Sequence, residues 1–220
     1  MDDLQIQRFG PRGLLVRFAQ DVSEESLGRC RGLMEFFKAH PWDGVVDVVP
    51  AYGEVLLEFG EDLGDFADLE RRVGQQLKKA RALPAAEATL HEIPVRYDGP
   101  DLAELAEARG LSEGAVVEIH ARPVYSVYQI GFSPGFPYLG PLDPRLHMPR
   151  LATPRPRIEA GSVGIGGEQT GIYSIASAGG WRLIGRTEVE LFSRVRGEGN
   201  GSENAFLLRQ GDRVKFVPVS

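Results

Sequence analysis

The chain has 220 residues, 42% apolar and 25% charged, with 25 basic against 31 acidic side chains and a formal charge of −6. That length holds one large domain or two small ones around a real core, and the acidic balance argues against broad binding to nucleic acid or an anionic membrane. No apolar run approaches a membrane span, the acidic start Met1-Asp2-Asp3 is unlike a signal peptide, and the lone Cys30 excludes an intrachain disulfide, so a cytoplasmic protein is expected.

In chain order, the turn Gly10-Pro11-Arg12-Gly13 leads into a strand at Leu14–Phe18. Leu27, Cys30, Met34 and Phe37 recur at spacings of three and four, which gives a helix with one apolar face. Asp21 or Ser23 can cap it, and Cys30 reads as core filler on that face. Val45–Val49 and Val55–Phe59 form two strands around a turn at Ala51-Tyr52-Gly53. A second amphipathic helix follows, with Phe66, Leu69, Val73 and Leu77 inward, early acids (Asp65, Asp68, Glu70) and late bases (Lys78, Lys79, Arg81). Leu90–Val95 is expected to close the unit as a strand. The order strand, helix, strand, strand, helix, strand is the split β-α-β, ferredoxin-like pattern. It hosts many unrelated functions, and no catalytic constellation shows in residues 1–85.

Beyond Pro100, short helices are expected at Asp101–Arg109, stopped by Gly110, and from a Ser112 cap to His120. From Val124 onward short β-like runs appear at Val124–Ile130, Ser162–Ile165, Gly171–Ala176, Trp181–Thr187, Phe206–Leu208 and Arg213–Val217. Eight glycines between Gly161 and Gly185 suit strands bent around a small barrel. Gly197–Asn204 reads as a polar hairpin tip. Between Ser133 and Arg157 lie seven prolines and four arginines with Asp143 as the sole acid, a composition expected to form neither helix nor interior strand. Phe132, Phe136, Tyr138, Leu139 and Leu142 make this stretch too apolar for a solvated linker. It reads as a stiff functional loop.

Gly131-Phe132-Ser133-Pro134-Gly135 matches a nucleophile elbow in letters only, because Pro134 has no N–H for an oxyanion hole and no helix can follow. Gly164-Ile165-Gly166-Gly167-Glu168-Gln169 lacks both the P-loop lysine and the dinucleotide glycines, so a β-turn is expected. His40, His91, His120 and His147 have no zinc-ligand spacing, and no metal site is expected. His120 is a helix-end cap or buried hydrogen-bonder, or a functional group leading into the central loop. Arg150, Arg155 and Arg157 can fork onto carboxylate or phosphate oxygens, or stand as surface arginines paired with Glu159 and Glu168. Phe132, Phe136, Tyr173 and Trp181 are core, or line a partly apolar pocket beside those arginines.

The run through Ile93-Pro94-Val95, Leu102–Ala106, His120, Tyr125–Tyr128, Gly131-Phe132-x-Pro134-Gly135-Phe136-x-Tyr138-Leu139-Gly140, Pro149-Arg150, Pro154-Arg155, Gly161-Ser162-Val163, Gln169-Thr170-Gly171-Ile172-Tyr173, Gly179-Gly180-Trp181-x-Leu183-Ile184-Gly185-Arg186-Thr187 and Gly211-Asp212-Arg213-Val214 resembles the KipI family, also called the 5-oxoprolinase B subunit or allophanate hydrolase subunit 1. Departures are Glu159, Ser174 and Ala178 where the family usually has proline, and Arg96-Tyr97-Asp98 in place of Cys-Tyr-Gly. The resemblance implies an α+β chain with a ferredoxin-like domain over residues 1–88 and a cyclophilin-like β-barrel over 89–220. It implies an ATP-dependent conversion of 5-oxoproline to glutamate, carried out with the A subunit of 5-oxoprolinase and a KipA-like C subunit. The ATP is expected at, or shared with, the complex, and the chain is expected to be inactive alone. The alternatives are a KipI-type inhibitor whose partner is a histidine kinase, and an allophanate hydrolase component. The substrate or partner cleft is expected among His120, Tyr128, Phe132, Phe136, Arg150, Arg155, Arg157, Gln169, Thr170, Tyr173, Trp181 and Arg186.

Overall fold

The structure, a computed structural model, describes residues 5–61, 69–75, 88–197 and 205–220. The chain divides into two compact units, Met1–Ala88 and Thr89–Ser220.

In the first unit, β1 (Gln5–Phe9), β2 (Gly13–Arg17), β3 (Val45–Ala51) and β4 (Glu54–Phe59) form an antiparallel sheet in the order β1-β2-β4-β3. The helix α1 (Glu24–Ala39) starts at Ser23, whose hydroxyl accepts from the Ser26 N–H in a capping box. Its Cys30, Leu33, Phe36 and Phe37 share one core with Leu14, Val16, Val55, Leu57 and Phe59. Cys30 is fully buried there, as filler. Residues 69–75 are helical and bury Leu69 and Val73 in the same core. The remaining positions of the predicted second helix, Phe66 and Leu77 among them, lie outside the described residues, as does most of the predicted tip at 197–204.

The split β-α-β half of the expected pattern is present, since β4 lies between β2 and β3. Its closing strand is not the expected one. β5 (Leu90–Val95) pairs in parallel with β13 (Arg213–Pro218) in the second unit, because alternate residues Ile93 and Val95 are buried in that unit's core. The edge beside β2 is occupied by β1, which sequence patterning does not reveal because four of its five residues are exposed.

The second unit is a seven-stranded sheet ordered β12-β9-β10-β7-β6-β13-β5. Its other strands are β6 (Tyr125–Ile130), β7 (Pro137–Gly140), β9 (Ser162–Gly166), β10 (Gln169–Ile172) and β12 (Arg182–Arg186). The two outer strands approach each other. The Arg96 N–H donates to the Arg186 carbonyl at 2.9 Å and the Arg186 N–H to the Arg96 carbonyl at 2.8 Å, which makes the sheet a nearly closed barrel. Glycine permits this seam: a Cβ on Gly99 would lie 2.4 Å from the Ile184 carbonyl carbon. The helices α2 (Leu102–Arg109), ended by Gly110 at φ +64, and α3 (Glu113–Ala121), capped by Ser112, contribute Leu102, Leu105, Val116 and Ile119 to the barrel's core. A two-stranded ribbon of β8 (Arg155–Ile158) and β11 (Ser177–Gly179), and the short α4 (Arg194–Gly197), complete the unit.

Two local expectations are overturned. The proline-rich stretch contains β7, an interior strand between β6 and β10. This is possible because Pro137 is its first residue and Tyr138–Gly140 supply the ladder donors. Phe206–Leu208 is not a strand; Phe206 makes only an isolated bridge to Phe192.

Candidate functional site

The loop from β6 to β7 is held by its own backbone. The Ser133 N–H donates to the Gly131 carbonyl at 2.8 Å, and the Phe136 N–H to the Ser133 carbonyl at 3.1 Å. The Ser174 hydroxyl donates to the Pro134 carbonyl at 2.6 Å. Phe132 sits at φ +69, a left-handed conformation costly for a bulky residue, and projects its ring into solvent at 64% exposure. No described histidine hydrogen-bonds Ser133 and no helix follows it, so the elbow resemblance stays formal.

The glycines of β9 and β10 have a purpose beyond bending strands. A Cβ on Gly166 would lie 2.6 Å from the Trp181 ring, and one on Gly171 would lie 3.0 Å from both the Trp181 and Phe136 rings. The missing side chains thus form a bed for the indole. Phe136 contacts Trp181 edge-on at a centroid distance of 5.3 Å and Tyr173 at 5.2 Å. With Ile158 and Leu183 these rings form a second core, separate from the main one, with half-buried Tyr138 against it. Phe136, Tyr173 and Trp181 are therefore packed core rather than an open pocket wall, and only Phe132 and Tyr138 keep substantial surface.

The three loop arginines divide into distinct roles. Arg157 is exposed and pairs with Glu159 at 2.7 Å, one of the two pairings anticipated from the sequence. Arg155 does not pair with Glu159 or Glu168. Its Nη2 donates to Asp101 Oδ1 at 2.6 Å, and Asp101 Oδ2 accepts the Leu183 N–H at 2.6 Å. Asp101 is only 4% exposed and makes no side-chain cap for α2. It pins the β8 ribbon to β12. Arg182 similarly donates to Glu104 at 2.6 Å. Arg150 alone of the loop's three retains no carboxylate; among the described residues its one assigned contact is the Trp181 ring, 5.9 Å from the guanidinium carbon.

His120 is fully buried and belongs to a relay. The Thr170 hydroxyl donates to the Gly164 carbonyl at 3.0 Å, so it accepts from His120 Nε2–H at 2.8 Å. Nδ1 is then left to accept from the Tyr97 hydroxyl at 2.8 Å. The Tyr125 hydroxyl donates to the His120 carbonyl, and Phe216 stacks on the imidazole at 4.6 Å. Burial pushes the imidazole down to about 3 and raises the Tyr97 phenol. The unfolded imidazole titrates near 6.5, so between about pH 6.5 and 3 the unfolded chain holds the extra proton. Stability from this site is fully present above that window and is lost as pH falls into it. Urea unfolding from about pH 7.5 to about 5.5 should show a loss approaching 1.4 kcal/mol per pH unit, and His120→Gln should flatten the slope. An unchanged slope in the variant would show that His120 titrates alike folded and unfolded.

Thr170 is buried in the same relay, and Gln169 is half-buried beside the Gly167 turn, whose φ of +66 makes the glycine segment a β-hairpin rather than a phosphate cradle. Tyr128 occupies a bulge in the β6–β7 ladder and lies over Gly140, where a Cβ would meet its ring at 2.4 Å. Arg186 lies at the barrel seam, bonded to Asp98 at 3.2 Å, on the rim of an open cavity of 430 Å³ shared with Arg96, Glu188 and Val189. That cavity has none of Arg150, Arg155 or Trp181 in its lining, so this hollow and the arginine–aromatic cluster are different places. The structure thus unites Phe132, Phe136, Arg150, Arg155, Tyr173 and Trp181 around β7–β12 and leaves the others in structural contacts. Sequence reading missed Asp101, Tyr97 and Tyr138; the first reads as a helix start, and nothing local marks its bond to Leu183 across 82 positions.

Chemically the cluster offers recognition more than catalysis. Among the described residues no group of three or more His, Cys, Asp or Glu could hold a metal ion, and no helix is long and apolar enough to cross a membrane.

Comparison with known proteins bears on the same features. Residues 4–200 match the family described as carboxyltransferase domain, subdomain C and D. The 5-oxoprolinase B subunit of Bacillus subtilis strain 168 is 37% identical over 230 residues, covering 98% of this chain and 93% of that protein. The 5-oxoprolinase B subunit of Escherichia coli O157:H7 is 46% identical over 179 residues, covering 79% of this chain and 78% of the other. The crystal structure of TTHA0988 superposes with a TM-score of 0.77 at 43% identity, covering 95% of this chain but only 40% of that one. The chain belongs to the carboxyltransferase-domain family, subdomain C and D, as a relative of the 5-oxoprolinase B subunits.

Proposed function

We propose that the chain is the B subunit of a 5-oxoprolinase, one part of a hydrolase complex that opens 5-oxoproline to glutamate. The observation that carries this reading is relatedness to proteins of that name along 98% of the chain at 37% identity, which favours it over kinase inhibition and allophanate hydrolysis. The barrel, assigned to the cyclophilin-like class, is the ligand-bearing domain in this reading, and the first unit is a docking or structural domain of ferredoxin-like descent. The A and C subunits are the partners, with ATP bound by them or shared with them. Two features support that division: the sequence has no P-loop motif, and its glycine-rich turn Gly164–Gln169 is a β-hairpin without a lysine. The buried, satisfied state of His120 likewise supports inactivity alone, since it holds no proton at a reactive surface. We assign the reaction to the cytoplasm, a compartment in which the free, buried Cys30 stays reduced.

Mixing the purified chain with its A and C subunits, ATP and 5-oxoproline should give glutamate, and omitting it should abolish the product. Undiminished glutamate formation by the other two subunits would overturn the assignment.

A further inference from the structure

We propose that Arg150, backed by the spare Nη1 donor of Arg155, recognises the carboxylate of the small substrate. This deepens the 5-oxoprolinase reading and rests on it. Arg155 spends Nη2 on Asp101, yet its Nη1 is buried and donates to nothing among the described residues. A buried, charged N–H without an acceptor is unfavourable and calls for a ligand oxygen or an ordered water. Arg150 supplies an exposed, uncompensated guanidinium above Trp181. The neighbouring arginines of β8 and β12 each have an acid: Arg155 has Asp101, Arg157 has Glu159, Arg182 has Glu104 and Arg186 has Asp98.

Both arginines flank Gly179-Gly180: Arg155 is the cross-strand partner of Gly179, and a Cβ on Gly180 would lie 3.7 Å from Arg150 Cβ. Burial raises the Tyr173 phenol, while the Trp181 backbone N–H at its oxygen and the charges of Arg150 and Arg155 pull the other way. The Tyr173 hydroxyl therefore lies within the field of both guanidiniums. Glycine lets the hydroxyl pack there: a Cβ on Gly179 would lie 2.2 Å from the Tyr173 oxygen, and the Leu151 N–H donates to the Gly180 carbonyl at 2.7 Å, fixing Arg150 from the adjoining residue. Pro149 and Pro154 hold the backbone before each arginine extended, which reduces the entropy lost on gripping a ligand. A planar fork with free N–H groups suits a carboxylate, and the half-buried Tyr138 ring beside Trp181, 5.8 Å between centroids, suits a flat lactam body.

The test uses the assembled complex. Arg150 is exposed, so Arg150→Ala should fold normally; it should raise KM for 5-oxoproline about ten-fold or more and weaken inhibition by the product glutamate in parallel. KM for ATP should stay within about two-fold, and Arg150→Lys should recover part of the loss by restoring charge without the fork. An unchanged KM for 5-oxoproline overturns the proposal while glutamate formation by the wild-type complex keeps the parent reading intact. Equal rises in both KM values overturn it as well, because they indicate damage to the assembly rather than a lost carboxylate contact. Weakened inhibition by inorganic phosphate with unaltered KM for 5-oxoproline assigns the arginine to a phosphoryl group and also overturns it. A wild-type complex that forms no glutamate overturns the parent reading, and this one falls with it.

Discussion

Replacing Asp101 with alanine should lower the melting temperature of the barrel unit by about 6–12 °C. The carboxylate is 4% exposed, yet two groups depend on it: the Leu183 N–H at 2.6 Å and the Arg155 guanidinium at 2.6 Å. Removing it strands a buried amide and a charge. Breaking one partner of a buried pair costs on the order of 3–5 kcal/mol, and because the Arg155 side chain is 29% exposed the lower end, about 3 kcal/mol, applies. Arg155→Ala should cost less, since Asp101 keeps its bond to Leu183. The double variant should be less destabilised than the two single losses added together, since neither charge is then left without the other. Calorimetry on the four proteins measures this directly. Additive losses, or an Asp101→Ala transition within about 2 °C of wild type, would show that the pair does not pin the ribbon.

Trp181→Ala should cost about 3–5 kcal/mol, or roughly 6–20 °C, because it empties the centre of the second aromatic core. Trp181 is 5% exposed and touches Phe136 and Tyr138 edge-on, while the Gly164, Gly166 and Gly171 backbone lies beneath it. The bed makes a second, sharper expectation. Gly166→Ala places a methyl 2.6 Å from the indole, closer than real Cβ contacts, so it should be destabilising in the wild type. In the Trp181→Ala background the same methyl enters the vacated space and should be neutral or stabilising. A cost for Gly166→Ala that is the same in both backgrounds would mean that the glycine serves strand curvature and not the tryptophan.

Both effects mark the boundary between what pattern reveals and what only folding reveals. Periodicity, β-like runs and capping residues placed β2, α1, the hairpin of β3 and β4, the two helices after Pro100 and, in whole or in part, six of the seven barrel strands, because those elements set apolar residues against a core and end on Ser, Pro or Gly. The family was legible from the motifs between Gly131 and Thr187, and the likeness to 5-oxoprolinase B subunits agrees with it. Partner choice was not legible. Leu90–Val95 has the same pattern whichever sheet it joins, and its parallel pairing with Arg213–Pro218 follows from burial of Ile93 and Val95 across more than a hundred residues. The exposed strand Gln5–Phe9 carries no apolar alternation to read. At the site, sequence alone fixed which arginines lie in the loop, but an ion pair depends on what the fold brings within about 3 Å. Tertiary structure decided that Asp101 takes Arg155, that Glu159 takes Arg157 and that Arg150 is left with an aromatic face in place of an acid. The same holds for His120: its type and position were visible, but its low affinity for protons comes from complete burial, a property of the nearly closed barrel and not of any neighbour in sequence.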